Sequence, residues 1–323
     1  MVRPKQPIPN KGGGSSALPK GILELDRFST ADLAHWQKLS NDLDELTNSL
    51  YFGLEPARRR LRLKLCDTLR QAGGLLLDIH KWARIVPYQY SLQPLSCAGS
   101  LQSIGGRFNA GFELNDGTLN SWPALYLAED FETAYREKFQ LASTALTEGL
   151  KPEELALEQT VSHATIFVNG RIENVFDMTS FVTLTSVGKI FRQVKMPREA
   201  TQLAKKLKIS DSQKIMIQNG QQLHSAIVKN NWRVWPMQFG VPAPSQTMAE
   251  LIKAAGYEGI LYPSSKGPGR CLVVFPENLS DHSHIDLIGP TPSAATINRL
   301  DADTAPSLEG WESIPRNRRN NLG

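Results

Sequence analysis

The stretch Ala255-Gly256-Tyr257-Glu258-Gly259-Ile260-Leu261-Tyr262-Pro263-Ser264-Ser265-Lys266-Gly267-Pro268-Gly269-Arg270-Cys271-Leu272-Val273-Val274-Phe275 decides how this chain is read. Met248 to Ala255 has a helical pattern, and Gly256 is placed to stop it, because glycine readily takes the left-handed turn that closes a helix. Two apolar runs follow, Gly259 to Tyr262 and Cys271 to Phe275, and both read as strands. The link between them is long for a hairpin and carries two hydroxyls, two cations and two glycines. Such a loop can offer N–H groups and hydroxyls to an anion. Viewed alone, a plain mobile hairpin is the simpler reading.

The same mixture of short strands, helices and Gly/Pro punctuation extends back to about residue 96. Leu125-Tyr126-Leu127 is a strand candidate in which Tyr126 faces away from the two leucines. Its ring then points to a cleft or to solvent, although an isolated tyrosine is more often a core residue. Asp130 can cap the next helix, whose buried stripe is expected at Phe131, Ala134, Leu141 and Ala142. Glu132 pairs with Arg136 at spacing four, whereas Glu137 adjoins the stripe. A carboxylate there needs a partner or a task; spacing alone leaves a structural ion pair and a catalytic group both open. Ala164 to Val168 and Val175-Phe176 read as strands joined by an Asn169-Gly170 turn, and residues 197–230 as mostly helical and basic.

The N-terminal part is patterned as helix. Ser29 and Thr30 precede Leu33, Trp36 and Leu39, and Pro56 is expected to open a new helix with Leu61, Leu65 and Leu69 in a row. Arg58-Arg59-Arg60 reads as its wet side, Gly73-Gly74 as its end, and Leu75 to Trp82 as a further helix. Residues 1–20 and 291–323 bury little apolar surface and read as flexible tails. The expected plan is therefore a tail (1–20), a helical region (21–95), a catalytic domain (96–290) and a second tail (291–323).

Bulk properties exclude several classes. Across 323 residues, hydrophobic residues make up 41% and charged residues 21%, as in an ordinary globular protein. A net charge of +4 is too small to indicate nucleic-acid binding. No long apolar run predicts a membrane span, and the first twenty residues lack a secretory profile, so a cytoplasmic protein is expected. Cys66, Cys97 and Cys271 are scattered and read as reduced thiols. Asp281-His282-Ser283-His284-Ile285-Asp286 could chelate a metal, but its polar setting after the last strand reads as a surface loop, and no metal is expected. Phosphate-loop, dinucleotide-fold, zinc-helix and nucleophile-elbow motifs are missing from the sequence.

One ordered set remains. In Gly105-Gly106-Arg107-Phe108-Asn109 the glycines allow close backbone approach, and the arginine offers a planar fork that matches phosphate oxygens. Tyr126 follows nineteen positions later, and Glu137 eleven after that. A cation for phosphate, a flat ring for a base and a carboxylate for a sugar cation are what breaking a nucleotide at its glycosidic bond requires.

These blocks, together with Ala255 to Ser264 and Leu272 to Phe275, resemble the RES domain family, named for an Arg, a Glu and a Ser. Many of its members are toxins of bacterial toxin–antitoxin pairs that degrade NAD or transfer ADP-ribose. The resemblance implies an α+β fold: a mixed or antiparallel β core similar to ADP-ribosyltransferase toxins, with surrounding helices and here a helical N-terminal region. It implies NAD+ as substrate, no metal, and cleavage of the nicotinamide–ribose bond. With water as acceptor it is a glycohydrolase and with inorganic phosphate a phosphorylase; transfer of ADP-ribose to a protein or nucleic acid is the alternative, and an inactive binding module the third possibility. Carried over by position, the catalytic residues are Arg107, Tyr126, Glu137 and Ser264, with Ser265 an alternative for the serine. Gly106 and Asn109 join Arg107, Tyr126, Ser264 and Ser265 in binding. A cognate helix-turn-helix antitoxin is implied as partner by the resemblance only. The chain departs from the compact family pattern in a longer Ala110–Trp122 link and an enlarged 197–230 region.

Overall fold

The computed structural model describes residues 30–114, 117–141, 162–209, 216–228 and 232–310. The expected tail at 1–20, the basic end after 310 and Ala142 lie outside them. The fold is mixed α/β, with an N-terminal helix and a β core. Helix α1 spans Thr30–Gln71, followed by β1 (Leu75–Pro87), β2 (Gly105–Gly106), β3 (Asn109–Ala110), β4 (Leu125–Ala128), α2 (Phe131–Phe139) and β5 (His163–Asp177). Four helices come next: α3 (Thr185–Phe191), α4 (Arg198–Lys206), α5 (Gly220–Ile227) and α6 (Val234–Phe239). Helix α7 (Pro244–Ala254), β6 (Gly259–Pro263), β7 (Arg270–Val274), β8 (His284–Ile288), β9 (Arg299–Leu300) and α8 (Ala305–Glu309) complete it.

The pairings close on themselves. β1 pairs antiparallel with β4 and with β5, β4 with β7, and β7 with β6, while β6 runs parallel to β5. β8 and β9 extend the sheet from β5. Alternate residues feed two cores, as a pleated strand requires. Leu125, Leu127, Leu261, Leu272 and Val274 enter one; Tyr126, Ala128, Ile260, Tyr262, Cys271 and Val273 face the other, beneath the helices. Burial on both faces explains why Gly259 to Tyr262 and Cys271 to Val274 lack charged residues.

The stretch 255–275 folds as its pattern predicts, with Gly256 at φ +91° after α7 and two antiparallel strands beyond it. Helix α7 starts earlier than expected, at Pro244, which suits a first helical position because it needs no N–H partner there. Asp130 caps α2, accepting from the Thr133 N–H at 2.7 Å, and Arg136 pairs with Glu132. Leu65 and Leu69 are buried as expected, with Leu61 packed against them.

Several expectations need correction. Pro56 lies inside α1 rather than opening a second helix. Arg58 is not on a wet side: it lies over the Tyr51 ring and bonds Glu55 and the Tyr51 carbonyl, whereas Arg59 is exposed. Leu75 to Trp82 is strand β1, not helix. Leu77 and Ile79 are buried and their neighbours exposed, a period of two that sheet pairing enforces. Asn169-Gly170 is not a turn. β5 runs straight through it, paired with β1 and β8, and the glycine admits the close approach of β8, where a side chain would collide with the His284 carbonyl. Phe131 is exposed, so the buried stripe of α2 rests on Thr133 and Ala134. His284 and Asp286 belong to β8 rather than a surface loop, and Arg299 holds Asp286 through two bonds. Residues 291–310 are not a tail: Leu300, Ala305 and Leu308 are buried in the second core.

Candidate active site

Strands β2 and β3 form a tight hairpin, Gly105 opposite Ala110 and Gly106 opposite Asn109, with Arg107 and Phe108 at its tip. Phe108 is fully buried edge-on against Tyr262, ring centroids 4.6 Å apart, which anchors the tip and sets Arg107 beside it. Gln246 of α7 clamps the hairpin from behind. Its Nε2 donates to the carbonyls of Ile104, Gly106 and Asn109 at 2.9–3.0 Å, while its Oε1 accepts from the Ala243 N–H at 2.9 Å. Gln246 itself is fully buried.

Asn109 is the second hub. Its Oδ1 accepts from the Gly106 N–H and the Tyr126 hydroxyl, and its Nδ2 donates to the carbonyls of Ser100 and Trp122. It is fully buried, and all four hydrogen-bonding positions of its amide are taken by protein. Asn109 therefore holds Tyr126 and Gly106 in place from beneath the cleft. Tyr126 also accepts from the Phe108 N–H at 3.0 Å, so its hydroxyl is held from two sides. Burial raises the Tyr126 hydroxyl pKa, and it stays protonated. Gly106 lies against this ring: a Cβ there would meet the Tyr126 hydroxyl and stand 2.7 Å from Asn109 Oδ1.

Glu137 projects from α2 toward the loop between β6 and β7. Its Oε1 accepts from Ser264 Oγ at 2.6 Å and from the Ser265 N–H at 2.9 Å, with Ser265 Oγ at 3.5 Å. Its Oε2 accepts none of these bonds. Ser265 Oγ in turn accepts from Arg107 Nη2 at 3.0 Å, so one hydroxyl joins the arginine to the carboxylate. Ser264 Oγ accepts from the Lys266 N–H at 3.0 Å, which fixes the loop around the carboxylate. The loop is seated on α2 because Gly269 packs against the Thr133 side chain, and Arg270 grips Glu129 with two nitrogens.

Arg107, Tyr126 and Glu137 line one cleft of about 360 Å³. It opens where the sheet splits. β1 meets β4 at Ala83 opposite Ala128, then follows β5 alone as far as Pro87 opposite His163. Arg84 spans the split, donating to the Tyr126 carbonyl at 3.3 Å and the Ser96 carbonyl at 2.9 Å. Lys138, Trp232 and Arg233 also line the cleft. The Arg233 guanidinium lies over the Trp232 ring, 4.8 Å from its centroid. Removal from water and then the neighbouring Arg107 lower the Arg233 pKa, while Glu137 opposes the shift. Lys266 is shifted down in the same way, first by burial, against the pull of Glu137. The cleft is thus strongly cationic around one carboxylate, a field that favours a polyanionic ligand.

All the expected residues converge here, though Asn109 does so from below the surface. Sequence reasoning missed Arg84, Lys138, Arg233 and Gln246, which lack local motifs and reach the site only through tertiary packing. The three cysteines are buried and free, and burial pushes the Cys97 thiol up to about 12, far from a reactive thiolate. No helix among the described residues is long and apolar enough to cross a membrane.

The model of the RES domain matches residues 81–295, from within β1 to just short of β9. The chain belongs to the RES domain family. Within this RES protein the match takes in the Arg107 hairpin, β4, α2 and the serine loop. The matched region begins before residue 96, as it must if β1 is a wall of the cleft. A search of curated proteins returned no match. Among solved structures, a chain in the M. tuberculosis MbcT–MbcA toxin–antitoxin complex is similar, with 15% sequence identity and a TM-score of 0.39. The likeness covers 76% of this chain and 96% of that one.

Proposed function

We propose that this RES protein consumes NAD+ by breaking the bond between nicotinamide and ribose, using an arrangement like that of ADP-ribosyltransferase toxins. The observation that carries the reading is the relay Arg107–Ser265–Glu137, which fixes an arginine and a carboxylate in one cleft. Arg107 and Arg233 would meet the pyrophosphate. The Tyr126 hydroxyl is already committed to Asn109 and the Phe108 N–H, so the ring face is what it offers the nicotinamide. Glu137 Oε2 would accept from a ribose hydroxyl and stabilise the oxocarbenium-like transition state. Ser264 and Ser265 hold Oε1 and so aim the other oxygen.

In the reaction the C1″–N1 bond breaks and its electron pair returns to the pyridinium nitrogen, releasing neutral nicotinamide. Water adds to C1″ and loses a proton, giving ADP-ribose. A protein or nucleic-acid acceptor in place of water would make the enzyme a transferase with the same bond-breaking step. Family membership supports a role as the toxin of a toxin–antitoxin pair, with an antitoxin as partner. The test is nicotinamide release from NAD+ by purified protein, with the ADP-ribose product traced by label. Glu137→Gln should slow release on the order of 100-fold or more. No release by the wild type, or full rate in the variant, refutes the reading.

A further inference from the structure

Four cations line the cleft, Arg84, Arg107, Lys138 and Arg233, more than one dinucleotide pyrophosphate needs. The charges of Arg107 and Glu137 both act on Arg233. A pyrophosphate is one contiguous anion, and Arg107 and Arg233 answer it. Arg84 lies at the split between β1 and β4, and Lys138 of α2 lines the same cleft near enough to feel its charge. Arg84 is held by two backbone carbonyls, which neutralise no charge, and its Nε is buried without a partner. Lys138 makes no ion pair or hydrogen bond among the described residues. Glu137, its chain neighbour, is turned to the serine loop. Burial and then the repulsion of Arg84 lower the Lys138 pKa.

We propose that Arg84 and Lys138 form a second anion subsite that takes the 2′-phosphate of NADP+, making the 2′-phosphorylated dinucleotide a substrate of this enzyme. The inference rests on the cleft being a dinucleotide site. A phosphate monoester carries about 1.5 to 2 negative charges at neutral pH and three acceptor oxygens. That matches two cations lining one cleft with donors to spare. NAD+ has no anion left for them once its pyrophosphate is bound.

The test compares kcat/KM for NADP+ and NAD+ in the wild type, Lys138→Gln and Lys138→Arg. Arg84 is left intact because it also ties β1 to β4. The wild type should use NADP+ at least as well as NAD+. Lys138→Gln should lower the NADP+/NAD+ ratio about tenfold or more, the scale of one lost charge-assisted hydrogen bond, and Lys138→Arg should retain it. Inorganic phosphate should compete with NADP+ more strongly than with NAD+, and only while Lys138 is cationic. A ratio unmoved in folded Lys138→Gln, or a wild type favouring NAD+ by more than about tenfold, overturns the subsite. Should neither dinucleotide be turned over, the catalytic reading fails by itself, and calorimetric affinities of the same three proteins for NADP+ and NAD+ decide the subsite by the same ratio.

Discussion

Replacing Gln246 by leucine tests whether the arginine hairpin is positioned from behind. The side chain makes four contacts: three from Nε2 to carbonyls and one from the Ala243 N–H to Oε1. Nε2 has only two hydrogens, so the three carbonyl contacts count as two full bonds, and the total is three. At about 1 kcal/mol net per bond the loss is about 3 kcal/mol, and it grows if the buried carbonyls find no water. With an m-value near 3 kcal/mol/M, the urea midpoint should fall by about 1 M. The catalytic effect should outrun the stability effect. The hairpin tip carries Arg107, and a misplacement of about 1 Å at a reacting centre can cost about 100-fold in rate. Urea melts followed by fluorescence, and nicotinamide release measured where both proteins are fully folded, check the two parts. A midpoint within about 0.3 M of wild type, or unchanged turnover by folded Gln246→Leu, refutes the clamp.

Gly106→Ala should impair activity more than a surface glycine substitution would. Its Cβ must displace the Tyr126 ring and Asn109 Oδ1, both within 2.7 Å, so nicotinamide release should drop at least about tenfold; a wild-type rate would show that the ring can move without cost. Asp286→Asn probes the bond between β8 and β9, where hydrogen bonding from Arg299 holds the carboxyl below its usual pKa. A depressed carboxyl stabilises above its unfolded value near pH 4, and that stability disappears as pH falls through the lower folded value. The variant should therefore lose about 0.5 kcal/mol at pH 7, discounted for exposure, and converge on wild type as pH falls through the lower folded value. A difference that persists in acid would assign the effect to packing instead.

Much of the β6–β7 unit was legible because its signals are local. Gly256 closes a helix, two apolar runs follow, and the loop between them is too polar to be anything else. Asp130 capped α2 for the same reason. Leu75 to Trp82 was misread as helix because three leucines in a row fit either period. Pairing with β5 chose the period of two. Asn169-Gly170 carries a strong turn signal, but here the glycine serves the close approach of β8. Residues 291–310 looked like a tail because their few apolar residues are widely spaced. Leu300 and Leu308 are nonetheless buried in the second core.

The sequence by itself determined the chemistry available: which residues form the arginine block, the tyrosine strand, the carboxylate helix and the serine loop, and hence the family. Tertiary structure alone decided their arrangement. Only in the fold does Ser265 bridge Arg107 to Glu137, does Asn109 hold Tyr126 and Gly106 from beneath the cleft, and do Arg84, Lys138 and Arg233 enter the cleft. The reason is physical. A motif is encoded by neighbours along the chain, whereas a hydrogen bond across more than a hundred residues depends on how the sheet splits and which strands remain paired.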